Sequence, residues 1–136
     1  IGTAEIYRVM DEMPEIVDSL VVNIDRDGGA AFMQLFVTLR DGRRLDDELR
    51  QRIRTQLRRE YSPRHVPDEI VEVPGVPRTV TGKRMEVPIR RILSGTPVDA
   101  AVNRESMANP DVLEAFIAHA ATLTAAPAGT GDDAGE

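Results

Sequence analysis

Residues 31–61, AFMQLFVTLRDGRRLDDELRQRIRTQLRREY, place a strand, a turn and a helix in direct succession. In the first ten residues, alternate positions are apolar, and Phe32 and Phe36 add apolar bulk to the opposite face, which predicts a central strand buried on both sides. After the DGRR turn, an apolar residue recurs at every fourth position, as in an amphipathic helix. That apolar stripe consists of Leu45, Leu49, Ile53 and Leu57. A strand that leads into such a helix indicates a domain in which helices pack on a sheet.

The segments before this stretch predict a helix and another strand. Residues 2–13 carry apolar side chains at helical spacing, with Thr3 as the expected N-cap and Glu5 in the first turn. Residues 15–25, EIVDSLVVNID, are rich in valine and isoleucine, which is typical of strands. The RDGGA sequence that ends at residue 30 contains paired glycines, which favour a tight turn. The two strands are therefore expected to form a β-hairpin.

The segments after it predict a third strand and two further helices. Residues 68–73, DEIVEV, form the strand, and a helix is expected from about Val87 to Leu93. Asn109 is the expected cap of a last helix, in which Pro110 takes the first position.

These elements predict an α+β fold over residues 1–123, with a small sheet that includes a β-hairpin, flanking helices and an additional C-terminal helix. Residues 124–136 are mainly Ala, Gly, Thr, Asp and Pro, and are expected to form a disordered acidic tail. The first residue is isoleucine, and helix-start chemistry follows at once. We therefore expect the chain to be a fragment of a longer protein.

Composition excludes several classes of site. Cysteine is absent, which excludes disulfides and thiolate chemistry, and the distant His65 and His119 are expected to be surface or packing residues rather than metal ligands. No apolar run is long enough to span a bilayer, so a cytoplasmic protein without membrane contacts is expected. The net charge is -6, but residues 40–91 hold fourteen basic and nine acidic residues. This basic middle suits a small polyanion better than a nucleic-acid duplex.

The chain has sixteen arginines and a single lysine, Lys83, within PGVPRTVTGKRMEVP at residues 74–88. Prolines stiffen the approach to it, Gly82 relaxes the backbone, and Thr79 and Thr81 offer hydroxyls. The spacing of the glycines and the arginine that follows the lysine exclude a P-loop. Because a lysine is a compact, mobile point charge, this position indicates a cation that neutralises a phosphate or carboxylate.

Two motifs carry a family resemblance. PRTVTGK, which ends at Lys83, resembles the Pro-x-x-x-x-Gly-Lys motif of the adenylate-forming superfamily of acyl-CoA synthetases, luciferases and peptide-synthetase adenylation domains. IGTAEIYR at residues 1–8 resembles the segment that opens the C-terminal domain in that family. SPRHVPDEI, TGKRMEVPIRRIL and NRESMANPDVLEAF are similar to the acetoacetyl-CoA synthetases within it.

The resemblance implies a mobile C-terminal domain of an acid-CoA ligase of lipid metabolism, which forms an acyl-adenylate from ATP and then a thioester with CoA. It implies that Lys83 acts in the adenylation step, and that Gly82 and Thr81 support the loop of that lysine. It also implies that Gly2 and Thr3 line the CoA tunnel and that Arg58 contacts a CoA phosphate. ATP, CoA and Mg²⁺ would act in the full-length enzyme. The resemblance implies that the ATP-binding loops and the acid pocket belong to the N-terminal domain, which is the expected partner of this chain. The fragment alone would therefore bind none of these molecules and be inactive.

Regulation and alternatives follow from the same residues. The family resemblance implies inhibitory acetylation of Lys83, on an exposed flexible loop, by a protein lysine acetyltransferase, with a deacetylase to reverse it. A ligase for another short-chain acid and a free-standing α+β interaction module remain alternatives. A small nucleic-acid binder that uses the arginines of residues 43–59 is a further alternative, which the net charge disfavours.

Overall fold

The structure is a computed structural model that describes residues 2–25 and 31–130. The chain divides into two compact units, Ile1–Val76 and Pro77–Glu136. The predicted RDGGA turn at residues 26–30 lies outside the described residues.

The first unit is built on a three-stranded sheet. Its elements are α1 (Thr3–Glu12), β1 (Ile16–Asp25), β2 (Ala31–Leu39), α2 (Asp47–Glu60), a 3-10 turn (Pro63–His65) and β3 (Glu69–Glu72). The strand order is β1-β2-β3, with β1 and β2 antiparallel and β2 and β3 parallel. The predicted central position of β2 is confirmed.

The core of the first unit lies between one face of the sheet and the two helices. Strand residues such as Val21 and Leu35 pack there with the buried stripe of α2. The residues that alternate with them on the strands, including Leu20 and Phe36, are also fully buried. Burial of both faces explains why β2 is a nearly continuous apolar run rather than an alternating one.

The two helices of this unit begin differently. The side chain of Asp46 accepts a hydrogen bond of 2.8 Å from Leu49 N, which satisfies an amide that the first turn of α2 leaves unpaired. The expectation that Thr3 caps α1 is wrong: Thr3 is already helical, and the extended residue before it is Gly2. Gly2 has no side chain, so α1 starts without a side-chain cap.

The second unit is mainly helical. Its helices are α3 (Glu86–Leu93), α4 (Val98–Ala101) and α5 (Leu113–Thr130), with 3-10 turns at Arg104–Ser106 and Pro110–Val112. Helix α3 packs against α5, and Ile89, Leu113 and Phe116 are fully buried. Together, the sheet and these helices confirm the predicted α+β class.

Helix α5 ends at Thr130. The disordered acidic tail expected over residues 124–136 stays a prediction. Residues 131–136 lie outside the described residues. Among the residues that the structure does describe, no helix is both long and apolar enough to cross a membrane.

Candidate functional site

The only lysine lies on a miniature β-hairpin, Pro77–Met85, which we call the lysine hairpin. Met85 N donates to Pro77 O at 3.1 Å, and Arg78 and Arg84 face each other in an antiparallel bridge. Nearer the tip, Thr79 N donates to Lys83 O at 2.9 Å. The backbone on both sides of Lys83 is therefore held by β-type pairing, and the expected flexible loop is instead a hydrogen-bonded hairpin.

The tip is closed by a tight turn and by side chains. Gly82 has φ +90°, a conformation that L-residues rarely adopt, and its N–H donates to Thr79 O at 2.8 Å. The guanidinium of Arg78 donates to Gly82 O at 2.6 Å. Thr79 Oγ1 accepts from Lys83 N at 3.1 Å and lies 3.0 Å from Thr81 Oγ1. Both threonine hydroxyls therefore form hydrogen bonds within the tip itself.

Lys83 combines a fixed backbone with an exposed side chain. Its neighbour in the turn, Val80, is apolar yet 67% exposed. An ammonium on such a support reaches an anion at little conformational cost beyond its own four-carbon stem. This arrangement suits charge neutralisation at a site formed with another surface.

Two residues support the hairpin although the sequence does not predict that role for either of them. In the sequence, Arg78 stands out only as part of the motif, yet its guanidinium donates to the tip carbonyl of Gly82. Asn109 precedes a 3-10 turn with Pro110 at its first position, but its side chain makes no cap hydrogen bond there. Its Oδ1 accepts from Arg78 N at 3.1 Å instead, which corrects the predicted cap. A bond between positions 31 residues apart leaves no local signal in the sequence.

The other predicted site residues lie in the first unit. Gly2 is exposed just before α1, Thr3 begins that helix, and Arg58 is exposed in the last turn of α2. Lys83 belongs to the second unit, so the predicted site residues are divided between the two.

His65 is buried and ties the start of α1 to the 3-10 turn that follows α2. Its Nε2 lies 2.6 Å from Glu5 Oε1, its Nδ1 lies 2.8 Å from Ser62 Oγ, and its ring stacks on Tyr61 at 5.1 Å between ring centroids. These contacts satisfy the imidazole on both nitrogens, so His65 is a packing residue, in agreement with the sequence prediction.

Comparison with known families adds one decisive match. The model of the AMP-binding enzyme C-terminal domain matches residues 5–83, which is more than half of the chain. This chain belongs to that family. The match places the lysine of the hairpin at the last position of the AMP-binding C-terminal domain, and it leaves the remainder of the second unit beyond that boundary.

Relatives of this AMP-binding C-terminal domain include acetoacetyl-CoA synthetases. That of Rhizobium meliloti is 39% identical over 116 residues, covering 85% of this chain and 17% of the relative. That of Caenorhabditis elegans is 38% identical over 118 residues, covering 86% and 16%. The structure of the acetoacetyl-CoA synthetase from Streptomyces lividans matches with a TM-score of 0.80 and 48% identity, over 90% of this chain and 18% of that one. The chain thus spans under a fifth of each relative.

Proposed function

We propose that this chain is the C-terminal part of a cytoplasmic, ATP-dependent ligase that converts acetoacetate and CoA into acetoacetyl-CoA, AMP and diphosphate. The observation that carries the proposal is Lys83 on its hydrogen-bonded hairpin, at the end of the matched family domain. Similarity to acetoacetyl-CoA synthetases over 85% or more of the chain supports acetoacetate as the acid. The partner of the chain is then the N-terminal domain of the same enzyme.

In the adenylation step, the ammonium of Lys83 bridges the carboxylate of the acid and the α-phosphate of ATP. Two anions must approach each other for the new bond to form, and a cation between them offsets their repulsion. At about 4 Å and an effective dielectric of about 20, one such pair is worth on the order of 4 kcal/mol before desolvation. Lys83 needs no proton transfer for this role.

In the thioester step, the first unit supplies the contacts to CoA. Gly2 is exposed, and the absence of a side chain leaves room for the pantetheine arm beside Thr3. Arg58 is an exposed cation that would contact a CoA phosphate. These three assignments rest on the family resemblance together with exposure.

Mg²⁺ would accompany ATP, but the described residues contain no group of three or more His, Cys, Asp or Glu side chains that could hold a metal ion. We therefore assign no step through Mg²⁺ to this chain, and we expect the chain alone to lack ligase activity.

The lone lysine is also the proposed target of a protein lysine acetyltransferase, since acetylation removes the charge on which adenylation depends.

The experiment is the Lys83→Ala substitution in the full-length enzyme. Acetoacetate-dependent exchange of pyrophosphate into ATP should fall by roughly 100- to 1,000-fold, as when a preorganised charge contact is lost. Transfer of a preformed acetoacetyl-adenylate to CoA should largely persist, because the lysine acts only before that step. Replacing acetoacetate by acetate in the wild-type assay tests the choice of acid.

The matched control is Arg90→Ala, which removes another exposed cation of the second unit. It should leave both half-reactions near wild-type rates. Equal losses in the two variants, or full exchange activity in Lys83→Ala, would refute the proposed role.

A further inference from the structure

The first strand of the lysine hairpin, residues 78–80, is paired with a later segment, Ser106–Asn109, which we call the brace. Three contacts join the two: Ala108 N donates to Arg78 O at 2.9 Å, Val80 N donates to Ser106 O at 3.0 Å, and Thr79 faces Met107 in an antiparallel bridge. The amide of Thr79 points the other way, to Lys83 O. The strand 78–80 therefore lies in the middle of a three-stranded arrangement, between the brace and the strand that carries the lysine.

A side chain completes the pairing at one end of the strand. Asn109 Oδ1 accepts from Arg78 N at 3.1 Å, in a part-buried position. Arg78 is the first residue of the hairpin with an amide to donate, because Pro77 has none. The amide oxygen thus satisfies the donor where the strand begins.

The brace is itself anchored in the second unit. Met107 is buried, and the helix that follows the brace, α5, buries Leu113 and Phe116 while it packs on α3. Two backbone hydrogen bonds, through Arg78 O and Thr79 N, then lead from the anchored brace to Lys83.

We propose that the brace holds the lysine hairpin in its working conformation, and that Asn109 is a positioning residue for Lys83. The family match ends at residue 83, so the brace lies beyond the matched residues, whereas the acetoacetyl-CoA synthetase of S. lividans matches 90% of this chain. The catalytic consequence rests on the proposed function, but the structural claim does not.

A lysine-specific endoprotease tests the structural claim on the 136-residue chain, because Lys83 is its only target. Cleavage after Lys83 requires the hairpin to open, and its rate follows the population of the open form when reclosing is fast. Asn109→Ala removes the side-chain acceptor of Arg78 N and should raise the cleavage rate about two- to tenfold. Asn109→Asp keeps an acceptor oxygen and should restore a rate near that of the wild type.

The matched control is Asn103→Ala, which removes a bond of the same type at 3.0 Å that does not reach the hairpin. It should leave the cleavage rate unchanged. Unchanged cleavage in Asn109→Ala, or the same increase in Asn103→Ala, overturns the inference. If Asn109→Ala does not fold, as judged by circular dichroism, Ala108→Pro removes the brace amide that donates to Arg78 O and should give the same increase. Unchanged cleavage there counts equally against the proposal.

The catalytic consequence is measured in the full-length enzyme. Asn109→Ala should lower acid-dependent pyrophosphate exchange about two- to tenfold and leave CoA transfer from preformed adenylate unchanged, and Asn109→Asp should recover the exchange rate. A purely structural role would lower both half-reactions together, which would contradict positioning. If Lys83→Ala retains full exchange, the proposed function fails while the protease result stands. If the protease cleaves Asn109→Ala and the wild type at the same rate, the proposed role of the brace is refuted while the proposed function stands.

Discussion

Lys83 is the single lysine in a chain with sixteen arginines, and its surroundings restrain its backbone but not its side chain. The hairpin fixes its backbone through Thr79, and the side chain remains exposed. A guanidinium is planar and directs its donors in a fixed fork, whereas an ammonium donates in any direction at the end of a flexible stem. A rigid base with a mobile tip is what an ion needs when it must reach two anions that belong to different molecules.

Gly82 is the residue on which that rigid base depends most directly. An added Cβ would meet nothing within 4 Å, so the cost of Gly82→Ala comes from φ +90° alone, at about 1–2 kcal/mol. We predict that cleavage by the lysine-specific endoprotease becomes about five- to thirtyfold faster. The control is Gly42→Ala, at φ +82° with equally open space but in the first unit. It should melt at a lower temperature without faster cleavage, and faster cleavage in both variants would contradict a local effect.

At the scale of elements, local chemistry predicted the helices and strands well. The apolar stripe of α2 is a property of consecutive residues, and the helix at Asp47–Glu60 confirms that prediction. The cap at Thr3 was wrong because Gly2 and Thr3 differ in backbone conformation, which the sequence leaves open. The role of Asn109 was missed because its partner, Arg78, is brought to it only by the fold.

The fold also brings together α2 and the loop before β1. Arg52 donates a hydrogen bond to the Glu15 carboxylate, and this bond is the largest cause that holds the pKa of Glu15 below its ordinary value of 4.5. A backbone hydrogen bond and the nearby arginine charges lower the pKa further, whereas burial opposes them. A lowered carboxyl pKa stabilises the fold above the ordinary value, and that contribution is lost as the pH falls through the lower folded-state pKa. The ion pair therefore acts as a pH-dependent tie between the two elements.

We predict that Glu15→Gln lowers the free energy of unfolding at neutral pH by less than about 1 kcal/mol, because the side chain of Arg52 is 48% exposed and water screens the ion pair. The variant should also lose less stability than the wild type between about pH 5 and about pH 3. Urea unfolding at the two pH values measures both effects. Glu12→Gln, an exposed glutamate three residues away, should behave as the wild type; a pH dependence unchanged by Glu15→Gln would exclude this tie.

At the scale of the whole molecule, the chain has a single lysine, so lysine acetylation can be assigned to Lys83 without mapping the modified site. In this step the C–S bond of acetyl-CoA breaks as a C–N bond to Lys83 forms, so that an ammonium and acetyl-CoA give an uncharged amide, the free thiol of CoA and one proton. We predict that incubation with a protein lysine acetyltransferase and acetyl-CoA adds one acetyl group, read from the intact mass. Lys83→Arg should gain none, and equal addition to both chains would argue for modification elsewhere.

The brace has a second consequence, which concerns contacts between molecules. A chain that ended before Ser106 would leave Arg78 O and Val80 N without their present partners, on a strand whose tip already exposes an apolar valine. Such an open β edge is a template for a strand from another copy. By occupying this edge, the brace keeps the lysine hairpin from serving as a starting point for self-association.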